Sequence, residues 1–174
     1  MTFETEKAIV DELVADDLKE LQELLTDETV HQYEFQHTSD PEEIKMYLES
    51  MLKLYKDDDI ASTDLGIFEK GSEKLIGLIR VRYSDPDLKL CDISGCIHSG
   101  YTNKGIATEV GKGLVDALMS KGVSKVSCNT ISENEHACKL AERIGLDKEG
   151  HIKMAFWSDD KYYDQVYYGK LTTN

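Results

Sequence analysis

The chain has 174 residues, of which 40% are hydrophobic and 31% are charged, enough apolar material for one globular domain spanning residues 1–174. Its 34 acidic and 20 basic residues give a net charge of -14. This charge argues against nucleic acid and anionic membranes as partners, because both are bound through clustered Lys and Arg. The same acidity would favour a cationic acceptor, or serve solubility alone.

The first residues show no charged segment followed by an apolar one, and no apolar run approaches the roughly 18 residues of a membrane span. We therefore expect a cytoplasmic protein. The four cysteines, at positions 91, 96, 128 and 138, have neither disulfide-framework nor metal-ligand spacing. They are predicted to be reduced thiols, and no metal site is expected.

In the first half of the chain, the spacing of apolar residues predicts alternating strands and helices. In chain order these are a strand over residues 5–13, a helix over 18–25, a helix over 41–55, and a hairpin of strands 65–69 and 75–83. The start of the second helix is clearly marked, because Asp40 can cap it and Pro41 suits its first position.

The second half continues the alternation. In chain order the pattern predicts a strand over residues 88–98, a glycine-containing turn, a helix from Ile106, a strand over 124–131, a helix over 133–144 and two strands within 152–171. Ser132 and Glu135 fit a capping box for the last helix, and Gly145 suits its end.

The turn before Ile106 is the most informative segment. It reads Gly100-Tyr101-Thr102-Asn103-Lys104-Gly105-Ile106-Ala107. A helix start has unpaired amides and a partial positive charge, so such a turn is suited to a phosphate group. A Walker loop would need Lys and Ser or Thr in place of Ile106 and Ala107, and no dinucleotide fingerprint follows. Lys104 could add a short-range charge.

The segment Thr102 to Ala107 resembles the pyrophosphate loop of GNAT-type N-acetyltransferases, whose signature is Arg/Gln-x-x-Gly-x-Gly/Ala. Thr102 replaces the usual Arg or Gln, whereas Ala107 keeps the small residue. Asn103 stands where many members have Gly, and Asn tolerates the left-handed conformation well.

A second part of the resemblance follows further along the chain. It consists of Asn134-x-x-Ala137, a helix, Gly145-Leu146 and Glu149-Gly150. The closing segment of residues 152–171, which is rich in tyrosine, is most similar to the ribosomal-protein N-terminal acetyltransferase branch.

This resemblance implies an α/β (α+β) fold, with a mixed, mostly antiparallel central sheet flanked by helices on both faces. It implies acetyl transfer from acetyl-CoA to a primary amine, with the cofactor wedged where two neighbouring strands part. The helix over 41–55 would flank the acceptor groove, so Tyr47 and Met51 are candidate acceptor contacts. Homodimers are common among the relatives, which makes a homodimer one option here.

The resemblance also assigns the contacts to coenzyme A. The strand end would contribute Cys96, Ile97 and His98, one of which would polarise the acetyl carbonyl through its backbone N–H. The turn would contribute Tyr101, Thr102, Asn103, Lys104, Gly105, Ile106 and Ala107. The segment after the next strand would contribute Asn134 and Ala137.

The proton-handling side chains depart from the family pattern. Ala137, Ala141 and Phe156 stand where relatives carry Ser, Tyr or Glu. Candidates for a base or a water relay are Asp92, His98 and Tyr163 with its neighbour Asp164. Asp92 could equally be a solvated or paired carboxylate, and His98 a surface residue at a strand end.

The absence of an evident strong base bears on the acceptor. Deprotonating an α-amine with a pKa near ~8 costs about 1.4 kcal/mol at neutral pH, whereas a lysine amine near ~10.4 costs about 4.6 kcal/mol. The expected acceptor is therefore a protein or peptide N-terminus. Two alternatives stay open, a catalytically weakened protein that binds or senses acyl-CoA and an acetyltransferase for small-molecule amines.

Overall fold

The computed structural model describes residues 1–31, 38–56, 62–85, 87 and 89–172. The strands are β1 (Phe3–Glu4), β2 (Ala8–Asp11), β3 (Ser62–Glu69), β4 (Leu75–Asp85), β5 (Leu90–Ile97), β6 (Lys125–Ile131), β7 (Asp147–Ser158) and β8 (Lys161–Leu171). The helices are α1 (Leu18–Leu25), α2 (Glu28–His31), α3 (Pro41–Leu54), α4 (Ile106–Ser120) and α5 (Glu135–Arg143). Short 3-10 turns lie at Ala15–Asp17 and Ser99–Tyr101.

The described strands form one sheet in the order β1-β2-β3-β4-β5-β6-β8-β7. Neighbouring strands are antiparallel except for β5 and β6, which are parallel because α4 crosses over between them. The parallel pairing covers only Leu90–Asp92 and Lys125–Ser127, although both strands continue beyond it. The two strands therefore part after Asp92 and Ser127, and a gap opens in the sheet.

Helices cover both faces of the sheet. On the face that we call the α4–α5 face, Val110 and Leu114 of α4 pack with Val81 and Ile93 of the sheet. On the opposite face, called the α1–α3 face, a separate apolar cluster joins the helices to β4. Its members include Leu21 and Leu24 of α1, Ile44 and Leu48 of α3, and Leu75 and Leu78 of β4. The predicted fold class is confirmed.

The two predicted helix caps have different outcomes. Asp40 caps α3 as expected, because its Oδ1 accepts hydrogen bonds from the amides of Glu42 and Glu43 at 2.8 and 3.3 Å. The capping box at Ser132 is wrong. Asn134 caps α5 instead, with its Oδ1 accepting from Ala137 N at 3.1 Å, so the helix begins two positions later than predicted.

The strand predicted over residues 5–13 is confirmed only in part, because it is limited to β2 (Ala8–Asp11). The chain reverses at Thr5, whose N–H donates to Ala8 O at 2.8 Å while its Oγ1 accepts from Ala8 N at 3.0 Å. Two short antiparallel strands result, β1 and β2. A threonine hydroxyl stabilises a turn here, a signal that the apolar alternation hides. The predicted start at Leu88 lies outside the described residues, and β7 begins before the predicted 152.

None of the helices in the described part of the chain is long and apolar enough to cross a membrane.

Candidate active site

The amides of β5 point alternately to β4 and to the gap. His98 N donates to Ile76 O of β4 at 2.9 Å, whereas Lys89 O accepts from Ser124 N, on the β6 side, at 2.8 Å. Because N–H groups alternate along a strand, the odd-numbered residues of β5 face β6 or the gap. Among the three predicted strand-end contacts, Ile97 thus directs its N–H into the gap. The amides of Cys96 and His98 face β4.

The turn after β5 satisfies its first amides internally. Tyr101 N donates to His98 O at 2.9 Å, and Thr102 N donates to Ser99 O at 3.2 Å. The hydroxyl of Thr102 also donates to Ser99 O, at 2.8 Å. The amides of Tyr101 and Thr102 are therefore not available to a phosphate, contrary to the sequence-based expectation.

The next amides are free. Asn103 and Gly105 adopt positive φ angles of 60° and 81°, and α4 begins directly afterwards. The left-handed conformation expected of Asn103 is confirmed. The first helical hydrogen bonds come from Thr108 N and Glu109 N, so the amides of residues 103–107 donate to no acceptor in the described part of the chain. Together with the helix dipole, these amides form an anion-binding concavity.

Lys7 supplies a cation that the sequence does not indicate. Its Nζ lies 2.6 Å from Glu109 Oε1, and a Cβ placed on Gly105 would lie 3.3 Å from the same Nζ. The hydrogen bond to Glu109 raises the pKa of Lys7, and the same bond lowers the pKa of Glu109. A lysine of the β1–β2 turn, paired with Glu109, is thus placed beside the free amides.

Lys104 is placed differently. Its Nζ lies 4.6 Å from the centroid of the Tyr101 ring, a cation–π geometry. The Lys104 ammonium is thus directed to a ring of its own turn.

Asp92 stands where the strands part. It is the last residue of β5 that pairs with β6, and its Oδ1 accepts a hydrogen bond from the hydroxyl of Ser127, its partner in β6. Its side chain lies on the α1–α3 face, the face to which Cys96 of the same strand contributes. A carboxylate with one hydroxyl partner is therefore present at the closed end of the gap.

His98 has a structural role in the turn. Its Nδ1 accepts from Gly100 N at 3.1 Å, and its Nε2 lies 3.5 Å from Asp27 Oδ2. The same carboxylate oxygen accepts from the hydroxyl and the amide of Ser99 at 2.5 and 3.3 Å. Asp27, which lies between α1 and α2, thus contacts both His98 and Ser99 and holds the turn against that segment.

Tyr163 and Asp164 lie near the start of β8, opposite the register shift in β7. Tyr163 is 7% exposed as a residue, and its ring stacks on Phe156 with ring centroids 5.3 Å apart. Asp164 accepts from Met154 N at 2.9 Å and lies 3.0 Å from His151 Nε2, and the bond from Met154 lowers its pKa. Asp164 therefore supports an irregular segment of β7, and the catalytic role of Tyr163 stays a prediction.

Sequence reasoning missed a row of polar side chains beyond Ser127. Gln165 Nε2 donates to Asn129 Oδ1 at 2.6 Å, and the Tyr167 hydroxyl donates to Gln165 Oε1 at 2.7 Å. Asn129 and Ser127 are both odd-numbered residues of β6 and share a face. The α1–α3 face is therefore polar next to the gap.

Comparison with known proteins identifies the family. A model of the acetyltransferase (GNAT) domain matches residues 8–147. The chain belongs to the GNAT acetyltransferase family. It is accordingly an N-acetyltransferase that uses acetyl-CoA and an amine acceptor. No curated protein matches it.

Solved structures match this acetyltransferase over almost its whole length. A GNAT acetyltransferase from Bacillus anthracis has a TM-score of 0.84 and 19% identity, with 99% of each chain covered. A ribosomal-protein-S5-alanine acetyltransferase from Vibrio fischeri has a TM-score of 0.83 and 19% identity, covering 99% of this chain and 97% of that one. A spermidine N-acetyltransferase from Vibrio cholerae, in complex with CoA and spermine, has a TM-score of 0.81 and 19% identity, with 95% of each covered. At these identities the likeness shows the fold and not the acceptor.

Proposed function

We propose that this acetyltransferase acts on the α-amine of a protein or peptide N-terminus, as enzymes of the ribosomal-protein branch do. The cofactor side of the proposal rests on the run of free amides at residues 103–107, beside Lys7, and the acceptor side rests on Asp92 where β5 and β6 part. The diphosphate of acetyl-CoA would bind these amides, and its pantetheine arm would enter the gap. Asn134 and Ala137 would flank the arm on the β6 side.

The reaction is a direct transfer. The amine nitrogen attacks the thioester carbonyl carbon, the C–S bond breaks, the thiolate of coenzyme A leaves and the amine loses a proton. The Ile97 amide would stabilise the charge that develops on the carbonyl oxygen, because it faces the gap and is not used by β4. Asp92 would accept the amine proton, directly or through water.

The weakness of this base favours an α-amine. His98 is engaged by Gly100 and Asp27, so the carboxylate of Asp92 is the proton acceptor closest to the closed end of the gap among the predicted candidates. A carboxylate can assist an amine that is already partly neutral at pH 7. An α-amine meets this condition and a lysine side chain does not.

The test is a product analysis. The protein is incubated with acetyl-CoA and a panel of N-terminal peptides, polyamines, aminoglycosides and free amino acids, and acetylated products are identified by mass while thiol release is followed. Acetylation confined to peptide N-termini is expected. Acetylation of polyamines alone would instead support a small-molecule enzyme. Tight acetyl-CoA binding without thiol release would support a sensing protein, in line with Ala141 and Phe156.

A further inference from the structure

A buried ionic group lies on the α1–α3 face. The carboxylate of Asp64 in β3 accepts from Arg80 of β4 through Nε at 2.8 Å and through Nη2 at 2.7 Å. The hydroxyl of Tyr47 in α3 donates to the second carboxylate oxygen. The Asp64 side chain is 4% exposed and the Arg80 side chain is 30% exposed. The carboxylate is therefore the inner member of the group and the guanidinium the outer one.

The three side chains fix one another. Burial, followed by the nearby Asp64 charge, raises the pKa of Tyr47, so its hydroxyl stays protonated and donates. The hydrogen bonds to Asp64 raise the pKa of Arg80. A buried ion pair contributes little net stability, because desolvation of both charges offsets their attraction. What the group does provide is a guanidinium held in one orientation.

Part of this guanidinium is still available. Asp64 takes the edge formed by Nε and Nη2, and Nη1 has no hydrogen bond to any residue that the structure describes. Arginine presents its donors as a rigid planar fork, so the second edge can bind an oxygen of another molecule. With a third of the side chain exposed, that edge can reach solvent.

Arg80 lies one strand away from the gap, on the α1–α3 face. It lies directly opposite Ser94 in β5, an exposed residue just past the point where β5 and β6 part. Opposite residues of antiparallel strands are about 5 Å apart and project to the same face. Asp92 lies one place further along the same face of β5. The Arg80 guanidinium and the Asp92 carboxylate thus lie on the same face of the sheet, on the neighbouring strands β4 and β5.

We propose that Arg80 is a specificity-determining residue of the acceptor site, which binds a carbonyl or carboxylate oxygen next to the reacting amine. The amine would lie towards Asp92 and the oxygen towards Arg80. An amino acid or a peptide N-terminus has this pair of groups on adjacent carbons. A polyamine has no such oxygen and carries further positive charges that Arg80 repels. This inference rests on the proposed function and narrows its acceptor class.

The experiment compares two acceptors in the full-length protein. Alanine amide carries the oxygen, and 2-aminopropane has a methyl group in place of the carboxamide. The ratio of their kcat/KM values is measured in the wild type and in Arg80→Lys, which keeps the charge opposite Asp64 but loses the fork. Because both acceptors are measured with the same enzyme sample, the fraction of folded enzyme does not change the ratio. The two amines differ in pKa, but at one fixed pH this difference affects the ratio equally in every variant. We expect the ratio to fall about 10- to 100-fold in Arg80→Lys.

Two further variants complete the design. The double variant Asp64→Asn/Arg80→Gln removes both charges together, leaves no unpaired buried carboxylate, and should lower the ratio to a similar extent. Arg143→Gln removes one exposed arginine on α5 and should leave the ratio unchanged. A ratio that is the same in all variants overturns the inference and leaves the proposed function standing. A wild type that prefers spermidine overturns the inference together with the proposed acceptor class, although acetyl transfer itself stands. Absence of acetyl transfer to every amine overturns the proposed function as well.

Discussion

Gly105 gives the sharpest test of the proposal that residues 103–107 bind the diphosphate of coenzyme A. Its φ of 81° is a left-handed conformation, which costs a residue with a Cβ about 1–2 kcal/mol. Part of this cost is offset because alanine restricts the unfolded chain by about 0.4–1 kcal/mol relative to glycine. The added Cβ would meet only the flexible end of Lys7, at 3.3 Å. Gly105→Ala should therefore lose about 1 kcal/mol of stability, or about 2–4 °C in Tm for a chain of this size.

The hairpin between β3 and β4 offers a matched control. Gly71 has a φ of 94°, and a Cβ added there would meet nothing within 4 Å. Gly71→Ala should lose a similar amount of stability, since the backbone cost is the same. Because the added methyl group touches no other atom of the described residues, it should not alter cofactor binding.

The difference between the two variants is read from coenzyme A binding. At a concentration 100 times Kd, coenzyme A should stabilise the wild type by about 2.7 kcal/mol, a rise of about 5–10 °C in Tm. Gly71→Ala should show the same rise. In Gly105→Ala the turn relaxes away from the left-handed conformation and turns one or two amides aside, so Kd should increase about 10- to 100-fold. Equal Kd values in the two variants would refute the assignment of the diphosphate to this turn.

Three other outcomes are expected. Lys7→Gln should weaken coenzyme A binding roughly two- to fivefold at low salt and less at high salt. The control Lys70→Gln removes a lysine paired with Glu4 and should leave coenzyme A binding unchanged. Calorimetric titrations of both variants at two ionic strengths measure the difference. Asp92→Asn should lower kcat on the order of 100-fold without changing the Kd of coenzyme A, as steady-state kinetics and titration together will show. Burial raises the pKa of Cys128 to about 11, from 9.0. Between about pH 9 and pH 11 the thiol keeps its proton in the folded protein and loses it in the unfolded chain, so the free energy of unfolding should fall as pH rises through this range. The fall should be less steep in Cys128→Ala. Urea unfolding at several pH values measures both.

The sequence carried the local features of turns and helix ends. Asn103 was expected to adopt a left-handed conformation, and Asp40 was expected to cap α3, because each depends on one residue and its immediate neighbours. Where two local signals competed, the sequence-based choice was wrong. Asn134 caps α5 in place of Ser132, and the hydroxyl of Thr5 turns the chain between β1 and β2.

The supporting contacts of the site could not be predicted in the same way. Lys7 meets Glu109 across a separation of 102 residues, and Asp27 supports Ser99 across 72. Such pairs leave no pattern in a single sequence, because any exposed Lys or Asp has the same local surroundings. Only the packing of the elements selects which of them meet.

By itself, the amino-acid sequence determined the order of the main strands and helices from α3 onward and the position of the glycine-containing turn before α4. These follow from apolar periodicity, which is a property of short segments. The tertiary structure decided which amides of the turn are free, which face of the sheet carries Asp92, and that Arg80 is held on that same face by Asp64. These depend on strand register and on burial, which exist only once distant segments have packed together.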